Sequence, residues 1–560
     1  MSSQDESPNP APSGPGPGGR AQGEASDISV GRRNAITAAL ALGSIASILT
    51  ATVINVVIPD IMGAFGVGQD KAQWLTTGHL AATTSSMLLS DWFIRRLGRG
   101  NTYFLAIALF IAGSTVGGTA ASFDQLIFGR VMQGAGVGIT QPLAMGTLFM
   151  IYPREKRGRA MGIYGMIIIL GPAFGPFVGG LTADALSWRW VFYVPIPISA
   201  MAGIAGLFLL PGRDAEAVRP PFDWIGYILM IVFIPSFLVA LTNGATDGWY
   251  SDKILSMFAI AGLSFAGFVF WQLYTPKRLL DLKLFSYPRF AMAAIISFLF
   301  GAGMFGIMYI VPIFSQIVQG YTPTKAGLLQ MPAGIAMAIA MPIAGQFVDK
   351  GHATWMFIIG LSVTAFAGLL MTGAHIDTAF WVFAGWLVMH RVGQAMVFTP
   401  MSTTSLAALP ANLVGQGPGV MNFVRSMGSV FGVNVMAIFV EQRLQTYRQL
   451  LTASQNAGNP ETLQYLDTMR RLLEQAGIAD SVREPAAFFY LNQTVYAQAN
   501  MLAFRDGFML FAILMLLGLI PAIILSRTAA TPEERDAAVA RRRKRREPSE
   551  GEPSEAREVP

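Results

Sequence analysis

The residues whose chemistry stands out in this sequence are ionisable side chains within apolar stretches. Arg130 lies in GRVMQGAGVGITQP, a stretch from Gly129 to Pro142 that contains no residue able to neutralise it. A cation well inside an apolar helix costs about 2.5–3.5 kcal/mol on membrane-insertion scales, so it should face the protein interior or a water-filled cavity. Arg130 is therefore a candidate functional residue. The alternative is an arginine near a helix end that extends its charged group to the membrane interface.

Histidine titrates near neutral pH, so the histidines in two other apolar stretches are candidates for carrying a proton. His79 lies in TTGHLAATT, and His390 is followed by Arg391 in LVMHRVGQAM. A neutral histidine bonded to a hydroxyl group is the alternative for each. Arg391 is a further proton-coupling candidate. So is Asp506, in AFRDGFML, although its position near the end of a stretch also suits helix capping or placement at the membrane interface.

Other polar residues in apolar stretches are candidates for lining a substrate cavity. They are Thr50, Asn55, Gln133 and Arg425. The numerous Met and Phe residues would suit an adaptable apolar pocket, but helices that face lipid contain the same residues. The sequence therefore identifies no substrate.

The composition indicates a protein that crosses a membrane many times. Of the 560 residues, 53% are hydrophobic and only 13% are charged, against about 25% in a typical soluble domain. The apolar residues also come in blocks of roughly twenty, the length that crosses a bilayer as a helix. The predicted fold class is therefore an all-α membrane protein.

Residue types and spacing exclude several classes of site. The sequence has no cysteine and only four scattered histidines, so it offers no thiolate site and no spacing typical of a metal site. No arrangement of nucleophile, base and oxyanion donor indicates an enzyme, and we expect no cofactor. The basic residues behind the net charge of +6 collect beside apolar stretches, which argues against a nucleic-acid partner.

Fourteen apolar segments are predicted to span the membrane. Their approximate bounds are 36–60, 74–92, 102–121, 124–150, 161–184, 189–211, 223–242, 254–274, 289–314, 325–347, 355–373, 378–402, 416–440 and 501–526. The loops at one end of these segments are rich in Arg and Lys, so the positive-inside rule places them in the cytoplasm. An even number of spans places both termini there too.

The chain is predicted to contain two membrane bundles between polar tails. The N-terminal tail, 1–33, is rich in Pro and Gly and should be disordered, and the C-terminal tail, 527–560, is basic and cytoplasmic. Between them we expect a six-helix bundle over 34–212, a two-helix insertion over 213–284 and a second six-helix bundle over 285–526.

A long polar loop over 441–500 interrupts the second predicted bundle. Its apolar residues recur at helical spacing, which predicts a small helical hairpin on the non-cytoplasmic face. The hairpin is interpreted either as a cap over the last two spans or as a docking surface for a partner.

Two loops at the cytoplasmic end repeat a tight turn with cationic side chains. SDWFIRRLGRG carries Asp91, Arg95 and Arg96, and GQFVDKG carries Gly345, Asp349 and Lys350. The loops follow corresponding spans of two six-helix halves if the seventh and eighth spans are an insertion. Parallel halves of this kind are typical of transporters.

The fifth predicted span contains a glycine face within GPAFGPFVGG. Gly171, Gly175 and Gly179 are spaced by four residues, so they share one face on which another helix can pack closely. Pro172 and Pro176 follow on a neighbouring face and should bend the helix. The stretch is interpreted either as ordinary tight packing or as a stiff seal between halves that move, and close packing would serve both.

Four stretches of the sequence resemble motifs of one transporter family. GRVMQGAGVGITQP is similar to its fourth-span motif, and GPAFGPFVGG, which ends at Gly180, to its fifth-span antiporter motif. WRWVFYVPIPI and YTPTKAGLLQMP resemble the starts of its sixth and tenth spans. Over about residues 34–526, the chain resembles the fourteen-helix drug:proton antiporter branch of the major facilitator superfamily, the EmrB/QacA-like group.

This resemblance implies a fold, an activity and partners. It implies two six-helix bundles with two inserted helices, and multidrug export of lipophilic or amphiphilic compounds from a bacterial inner membrane by proton antiport with alternating access. A role in proton coupling is implied for Arg130. The implied partners are small-molecule substrates, protons, the lipid bilayer and, by analogy with EmrB-like members, a periplasmic membrane-fusion adaptor with an outer-membrane channel.

One residue departs from the pattern of this family. Relatives carry an aspartate in a first-span pattern like LDxTIxNVxxP, where this sequence has Thr50, while Thr52, Asn55 and Pro59 match. Threonine cannot carry a proton. The first alternative is therefore an exporter or facilitator of one endogenous metabolite, such as a siderophore or fatty acid, without the usual proton cycle. A non-transporting membrane sensor or scaffold is the second.

Overall fold

A computed structural model describes residues 28–212, 220–410, 413–456 and 458–527, apart from the side chains of some helical positions. The predicted tails thus lie outside the described residues, except at their inner ends. The first helix begins at Val30, where the Ser29 hydroxyl accepts a hydrogen bond from the backbone N–H of Arg32. The last four residues of the predicted disordered tail are therefore helical. Within the described residues, all regular secondary structure is helical.

The first described segment contains seven helices of eight or more residues, called here the first helical group. They are α1 (Val30–Phe65), α2 (Trp74–Met87), α3 (Ser90–Leu97), α4 (Arg99–Gly118), α5 (Phe123–Ile151), α6 (Arg157–Ala185) and α7 (Pro195–Leu209). α5 packs against α2 and α4, and α1 packs against α6 and α7. Glycine allows the close approach of α5 to α2, because a Cβ at Gly134 or Gly138 would overlap backbone carbonyl groups of α2.

Two helices, α8 (Trp224–Asp247) and α9 (Asp252–Tyr274), pack on each other within the predicted insertion. Asp223, which is buried just before α8, joins this pair to the chain that follows. Its carboxylate accepts hydrogen bonds from the side chains of Trp271 (2.8 Å) and Gln272 (2.5 Å) and from the backbone N–H of Leu279 (3.3 Å). These donors compensate the cost of burying the carboxylate and fix its position.

The remaining helices form the second helical group, which packs around α10. They are α10 (Pro288–Ile317), α11 (Pro323–Asp349), α12 (Ala353–Met371), α13 (Phe380–Ala407), α14 (Gly417–Ser454), α15 (Pro460–Gln475), α16 (Asp480–Leu517) and α17 (Leu519–Arg527). α10 packs against α13, α14 and α16. Aromatic rings fill the space between them, since Phe314 contacts Phe383, Phe504 and Phe508 at centroid distances of 5.3, 5.8 and 5.5 Å.

All fourteen predicted spans coincide with helices of the structure. Among the described residues, eleven helices are long and apolar enough to cross a membrane. The other three predicted spans correspond to α2 and α3, to α6 and to α13. α2 is short, some side chains of α6 lie outside the described residues, and α13 contains His390 and Arg391. The chain is an all-α, multi-pass membrane protein.

The long loop predicted over 441–500 is helical, and parts of it continue the helices on either side. α14 continues beyond the thirteenth predicted span to Ser454, and α16 begins at Asp480, well before the last predicted span. Only α15 stands apart from these extensions, and it packs on α16. Extending an existing helix adds hydrogen bonds without a new nucleation step, which favours continuation over a separate hairpin.

Candidate functional site

Arg130 lies inside the first helical group, where its side chain is completely buried. Its guanidinium donates hydrogen bonds to the backbone carbonyl groups of Leu75 (3.0 Å) and Thr50 (3.4 Å) and to the side-chain carbonyl of Gln133 (2.9 Å). The Nη2 atom has no hydrogen-bond partner among the described residues. Arg130 therefore joins α5 to α1 and α2, and it does not extend to the membrane interface.

Neutral groups surround Arg130. None of the ion pairs in the described part of the chain includes it. Thr50 offers Arg130 its backbone carbonyl, while its hydroxyl donates to the carbonyl of Ala46 (2.9 Å) within α1. Gln133 extends the network to α4 by donating to the hydroxyl of Ser114 (2.7 Å). A buried cation without a counter-charge is costly, which marks this position as a candidate functional site.

His79 lies beside Arg130 and is almost completely buried. Its Nδ1 is 3.3 Å from the backbone carbonyl oxygen of Arg130. Because a carbonyl oxygen accepts hydrogen bonds, this geometry suits a histidine that carries a hydrogen on Nδ1. The structure thus gathers Arg130, His79, Thr50 and Gln133 into one cluster within the first helical group.

Arg425 lies where the first and second helical groups meet. Its guanidinium donates a hydrogen bond to the side-chain oxygen of Asn422 and lies over the ring of Phe398, 5.5 Å from the centroid. Tyr164, on α6 of the first helical group, interacts electrostatically with Arg425. The side chain is only half-buried, although it lies about 12 Å along α14 from the first residue of that helix. Its guanidinium is therefore partly accessible, and none of its nitrogen atoms is both buried and unpaired.

Arg391 points towards the same junction. Arg391, Gln394 and Phe398 are spaced i, i+3 and i+7, so they share one face of α13. Phe398 brings this face against α6, because a Cβ at Gly165 would lie 2.7 Å from its ring. Arg391 is half-buried and donates to the side-chain oxygen of Gln394 (3.0 Å). The junction thus contains two cations, Arg391 and Arg425.

His390 faces away from the junction, into the second helical group. It is completely buried, and its ring lies against that of Phe511 with centroids 5.0 Å apart. Neither ring nitrogen has a hydrogen-bond partner among the described residues. The alternative of a histidine bonded to a hydroxyl group is therefore not found for His390.

Asp506 lies far from both arginine clusters. It pairs with Arg443 and accepts a hydrogen bond from Tyr447 (2.9 Å), both on the outward extension of α14. The helix-capping role considered for Asp506 is wrong, because α16 begins at Asp480 and Asp506 lies inside it. Its carboxylate joins two helices instead.

The glycine face of α6 packs against α1, as the spacing of its glycines predicts. A Cβ at Gly175 would overlap the hydroxyl of Thr52, and one at Gly179 would lie 2.8 Å from a methyl group of Val53. Gly171 makes the same kind of approach to α1. Both helices belong to the first helical group, so the contacts described for these three glycines lie within that group.

Gly180 lies off this face. The atom nearest to a Cβ placed there would be a methyl carbon of Val56 at 4.0 Å, an ordinary van der Waals distance. The side chains of Asn55, Pro172 and Pro176 lie outside the described residues. The predicted proline bend and the predicted cavity role of Asn55 therefore stay predictions.

The second loop motif joins the two helical groups at one end of the molecule. Asp349, the last residue of α11, accepts hydrogen bonds from the backbone N–H groups of Gly158 (2.6 Å) and Arg159 (2.9 Å) at the start of α6. A Cβ at Gly345 would overlap the carbonyl group of Gly158, so the two backbones are in direct contact. Free N–H groups at a helix start carry partial positive charge, which favours a carboxylate there.

The first loop motif makes a corresponding contact from the other group. Asp91, on α3, pairs with Arg95 (2.9 Å), and its carboxylate lies against Gly415 just before α14, because a Cβ at Gly415 would overlap it. The other cations of the two motifs, Arg96 and Lys350, lie over aromatic rings of their own loops. In each motif, a carboxylate thus contacts the opposite helical group.

Sequence reasoning missed three residues of this junction. Gly158 could have been found, because Gly158 and Gly162 repeat in RGRAMGIYG the four-residue spacing of the predicted glycine face. Tyr164 and Asn422 carry no such signal. Only the packing of α6 and α14 brings them to Arg425.

The comparisons with known proteins agree with this architecture. The sequence matches the Major Facilitator Superfamily over residues 40–433. The multidrug export protein EmrB of Haemophilus influenzae is 28% identical over 480 residues, which cover 85% of this chain and 92% of that protein. The lincomycin resistance protein LmrB of Listeria innocua is 28% identical over 417 residues, which cover 74% of this chain and 88% of that protein.

A solved structure shows the same fold. The human organic anion transporter MFSD10 (TETRAN) matches with a TM-score of 0.57 at 14% identity, over 88% of this chain and 99% of that chain, a likeness of fold alone. The likeness to EmrB and LmrB confirms the predicted resemblance to the drug-efflux branch. Its relatives are transporters and not enzymes, and this chain belongs to the major facilitator superfamily.

Proposed function

We propose that this transporter exports lipophilic or amphiphilic compounds across a bacterial inner membrane by alternating access coupled to proton entry. The observation that best supports export by alternating access is the junction of the two helical groups. Their backbones touch at Gly158 and Gly345, and deeper in the molecule the groups meet beside Arg425, where its neighbours Phe398 and Asn422 contact Gly165 and Met145 of the first group. A site between two halves that are closed at one end is what alternating access requires.

The closed end is assigned to the cytoplasm under this proposal. It carries the basic loops, and the positive-inside rule places such loops in the cytoplasm together with both termini. Opening this end would separate α6 from α11 and α3 from the start of α14. Rocking of one six-helix bundle against the other would then expose the surroundings of Arg425 to the cytoplasm.

We assign the proton-carrying step to His390. Both of its ring nitrogens are buried without a partner among the described residues, so the imidazole is neutral in this arrangement and would take up the proton when the halves rearrange. A charge on His390 would repel the adjacent Arg391, which faces the junction, and so favour one arrangement of the halves over the other. Arg130 and His79 would serve as a second charged element, and the Asp506–Arg443 pair as a relay at the outer end.

Transport without the usual proton cycle is the second candidate function. It is favoured by the neutral surroundings of Arg130, where Thr50 replaces the aspartate of relatives. In that case the transporter would export one endogenous metabolite. The names of EmrB and LmrB support drug-like substrates instead.

An adaptor is the proposed protein partner on the outer side. The extensions of α14 and α16, with α15, form a helical cap that carries exposed aromatic residues such as Phe488 and Phe489. By analogy with EmrB-like exporters, this cap would contact a periplasmic membrane-fusion protein that continues to an outer-membrane channel.

Proton movement in liposomes tests the proposed function. The purified protein would be reconstituted with an internal pH-sensitive dye and given lipophilic cations, neutral drugs and lipophilic acids. We expect a transported compound to move protons with the wild type and with Lys253→Gln, a control at an exposed ion pair. His390→Gln should abolish the proton movement.

The other outcomes are equally informative. A compound that crosses the membrane at the same rate with and without a pH gradient would establish the second candidate. Binding without any transport would favour the sensor or scaffold.

A further inference from the structure

We propose that the exported compound is an amphiphilic anion, with a carboxylate or similar group bound by Arg425 and an apolar body between the two helical groups. This inference rests on the proposed function and names its substrate class. Arg391, on the same side of the junction, would add to the positive potential.

The distribution of charge along the sequence supports an anion. Between residues 282 and 440, which include most of the second helical group, the acidic residues are Asp349 and Asp377. Asp349 ends α11 and Asp377 lies in the turn before α13, so neither is near the middle of the membrane. In the same stretch, Arg391 and Arg425 lie well inside their helices. A cationic substrate would therefore meet two like charges, whereas an anion would supply the missing counter-charge.

The guanidinium of Arg425 is prepared for such a ligand. Among the described residues it makes one hydrogen bond, to the side-chain oxygen of Asn422. Asn422 is fixed in turn, because its amide nitrogen donates to the carbonyl of Pro418 (2.8 Å) in the preceding turn. A guanidinium has five N–H donors in a planar fork, so four remain for a carboxylate, which binds such a fork through two parallel hydrogen bonds.

The side chains beside Arg425 suit the apolar part of the ligand. Phe398 lies under the guanidinium and contacts Phe300 at a centroid distance of 5.8 Å. Across the junction, Met145 touches Asn422 (3.4 Å). Aromatic and thioether groups accommodate apolar bodies of varied shape. The combination of one cation with an adaptable apolar surface selects for charge more than for shape.

Anion export is also compatible with Thr50. An anion that leaves a cell with a negative interior moves down the electrical gradient, and about 100 mV supports a roughly fifty-fold concentration ratio. Such a substrate needs no proton carried at position 50. The neutral surroundings of Arg130 are therefore compatible with an anionic substrate.

Three probes that share a pyrene body and differ in the charge of the head group test this inference. They are 1-pyrenebutyrate, its methyl ester and a pyrenebutyl trimethylammonium ion, measured by fluorescence with the full-length protein in nanodiscs at pH 7. We expect the carboxylate to bind at least tenfold more tightly than the other two. Arg425→Gln should weaken the carboxylate at least tenfold and leave the ester unchanged, while Arg425→Lys should retain part of the preference. Lys253→Gln should behave as wild type.

Equal or tighter binding of the ester or the cation to the wild type would overturn the proposal, and so would absence of charge-dependent binding among the three probes. These results need no variant, so misfolding of Arg425→Gln cannot obscure them. Unchanged carboxylate binding by Arg425→Gln would overturn the assignment to Arg425.

Transport of the same probes in liposomes under an imposed membrane potential separates the two proposals. We expect the carboxylate to be carried. A carboxylate that binds but never crosses would contradict export and leave the anion site in place. If the cation or the ester is carried and the carboxylate is not, the export proposal stands and the proposed anionic substrate class is wrong.

Discussion

The Asp349 carboxylate lies on the first backbone N–H groups of α6, 2.6 Å from the nitrogen of Gly158 and 2.9 Å from that of Arg159. The carboxylate belongs to the second helical group and the helix start to the first, so this is a helix cap made across the junction. Capping side chains contribute about 0.5–2 kcal/mol. An energy of this size shifts an equilibrium between two arrangements by roughly tenfold without locking either.

Asp349→Ala is expected to open the end of the junction that carries the basic loops. Because the sequence has no cysteine, Met145→Cys would provide a single reactive thiol next to Asn422. Labelling of that thiol by an impermeant maleimide, applied from the side of the basic loops, should rise by roughly tenfold. In the same background, Asp377→Ala, at an exposed turn, should leave labelling unchanged. Equal labelling of the two variants would contradict the role of the cap.

Gly175→Ala is expected to destabilise the packing of α6 on α1. The new Cβ would overlap the hydroxyl of Thr52, and overpacking of this kind costs about 1–3 kcal/mol. Thermal unfolding in detergent would show a lower melting temperature. Gly180→Ala is the matched control, because its Cβ would find ordinary space. Thr52→Ala should restore the melting temperature of Gly175→Ala, and failure to do so would place the clash elsewhere.

Thr50→Asp is expected to give Arg130 the counter-charge that it lacks. The backbone of residue 50 already contacts the guanidinium, whose Nη2 atom has no partner among the described residues. A hydrogen bond to a charged group contributes about 1.5–3 kcal/mol, so Thr50→Asp should melt at a higher temperature than the neutral control Thr50→Asn at pH 7. Substrate-dependent proton release should also increase. Identical melting of the two variants would mean that position 50 does not reach Arg130.

Asp223→Ala is expected to loosen the attachment of α8 and α9. It leaves the N–H donors of Trp271, Gln272 and Leu279 without their acceptor, at about 1–3 kcal/mol for each buried unsatisfied group. Limited proteolysis should then cut near residue 279 faster than in the wild type. Asp247→Ala removes an exposed ion pair with Lys253, which contributes at most about 1 kcal/mol, and should leave the cleavage rate unchanged.

The helices themselves could be predicted from the sequence, because their signal is local. Blocks of about twenty apolar residues identify spans wherever they occur. The spacing of Gly171, Gly175 and Gly179 likewise predicts a close helix contact, and that contact is confirmed. What the spacing could not give was the partner, which is α1 of the same group and not a helix of the other group.

The surroundings of the charged residues could not be predicted, because they depend on which helices meet. Arg130 and Arg425 look alike in sequence, since each is a lone cation in an apolar stretch. The structure separates them, with Arg130 fully enclosed by backbone carbonyl groups and Gln133, and Arg425 open towards the junction. His390 and Arg391 are adjacent in sequence, but they lie on different faces of α13. Adjacency in the sequence therefore did not indicate that the two side chains have the same surroundings.

The length of α14 has a mechanical consequence. Its 38 residues form a rod of about 57 Å, nearly twice the thickness of a hydrocarbon core of about 30 Å. Arg425 lies near one end of this rod, and the outward extension lies at the other. A rotation of about 10° around the ligand would move the far tip by roughly 7 Å, since about 40 Å of helix separates the two. The extension would thus act as a lever. A change at Arg425 would be amplified into a displacement that another protein outside the membrane can sense.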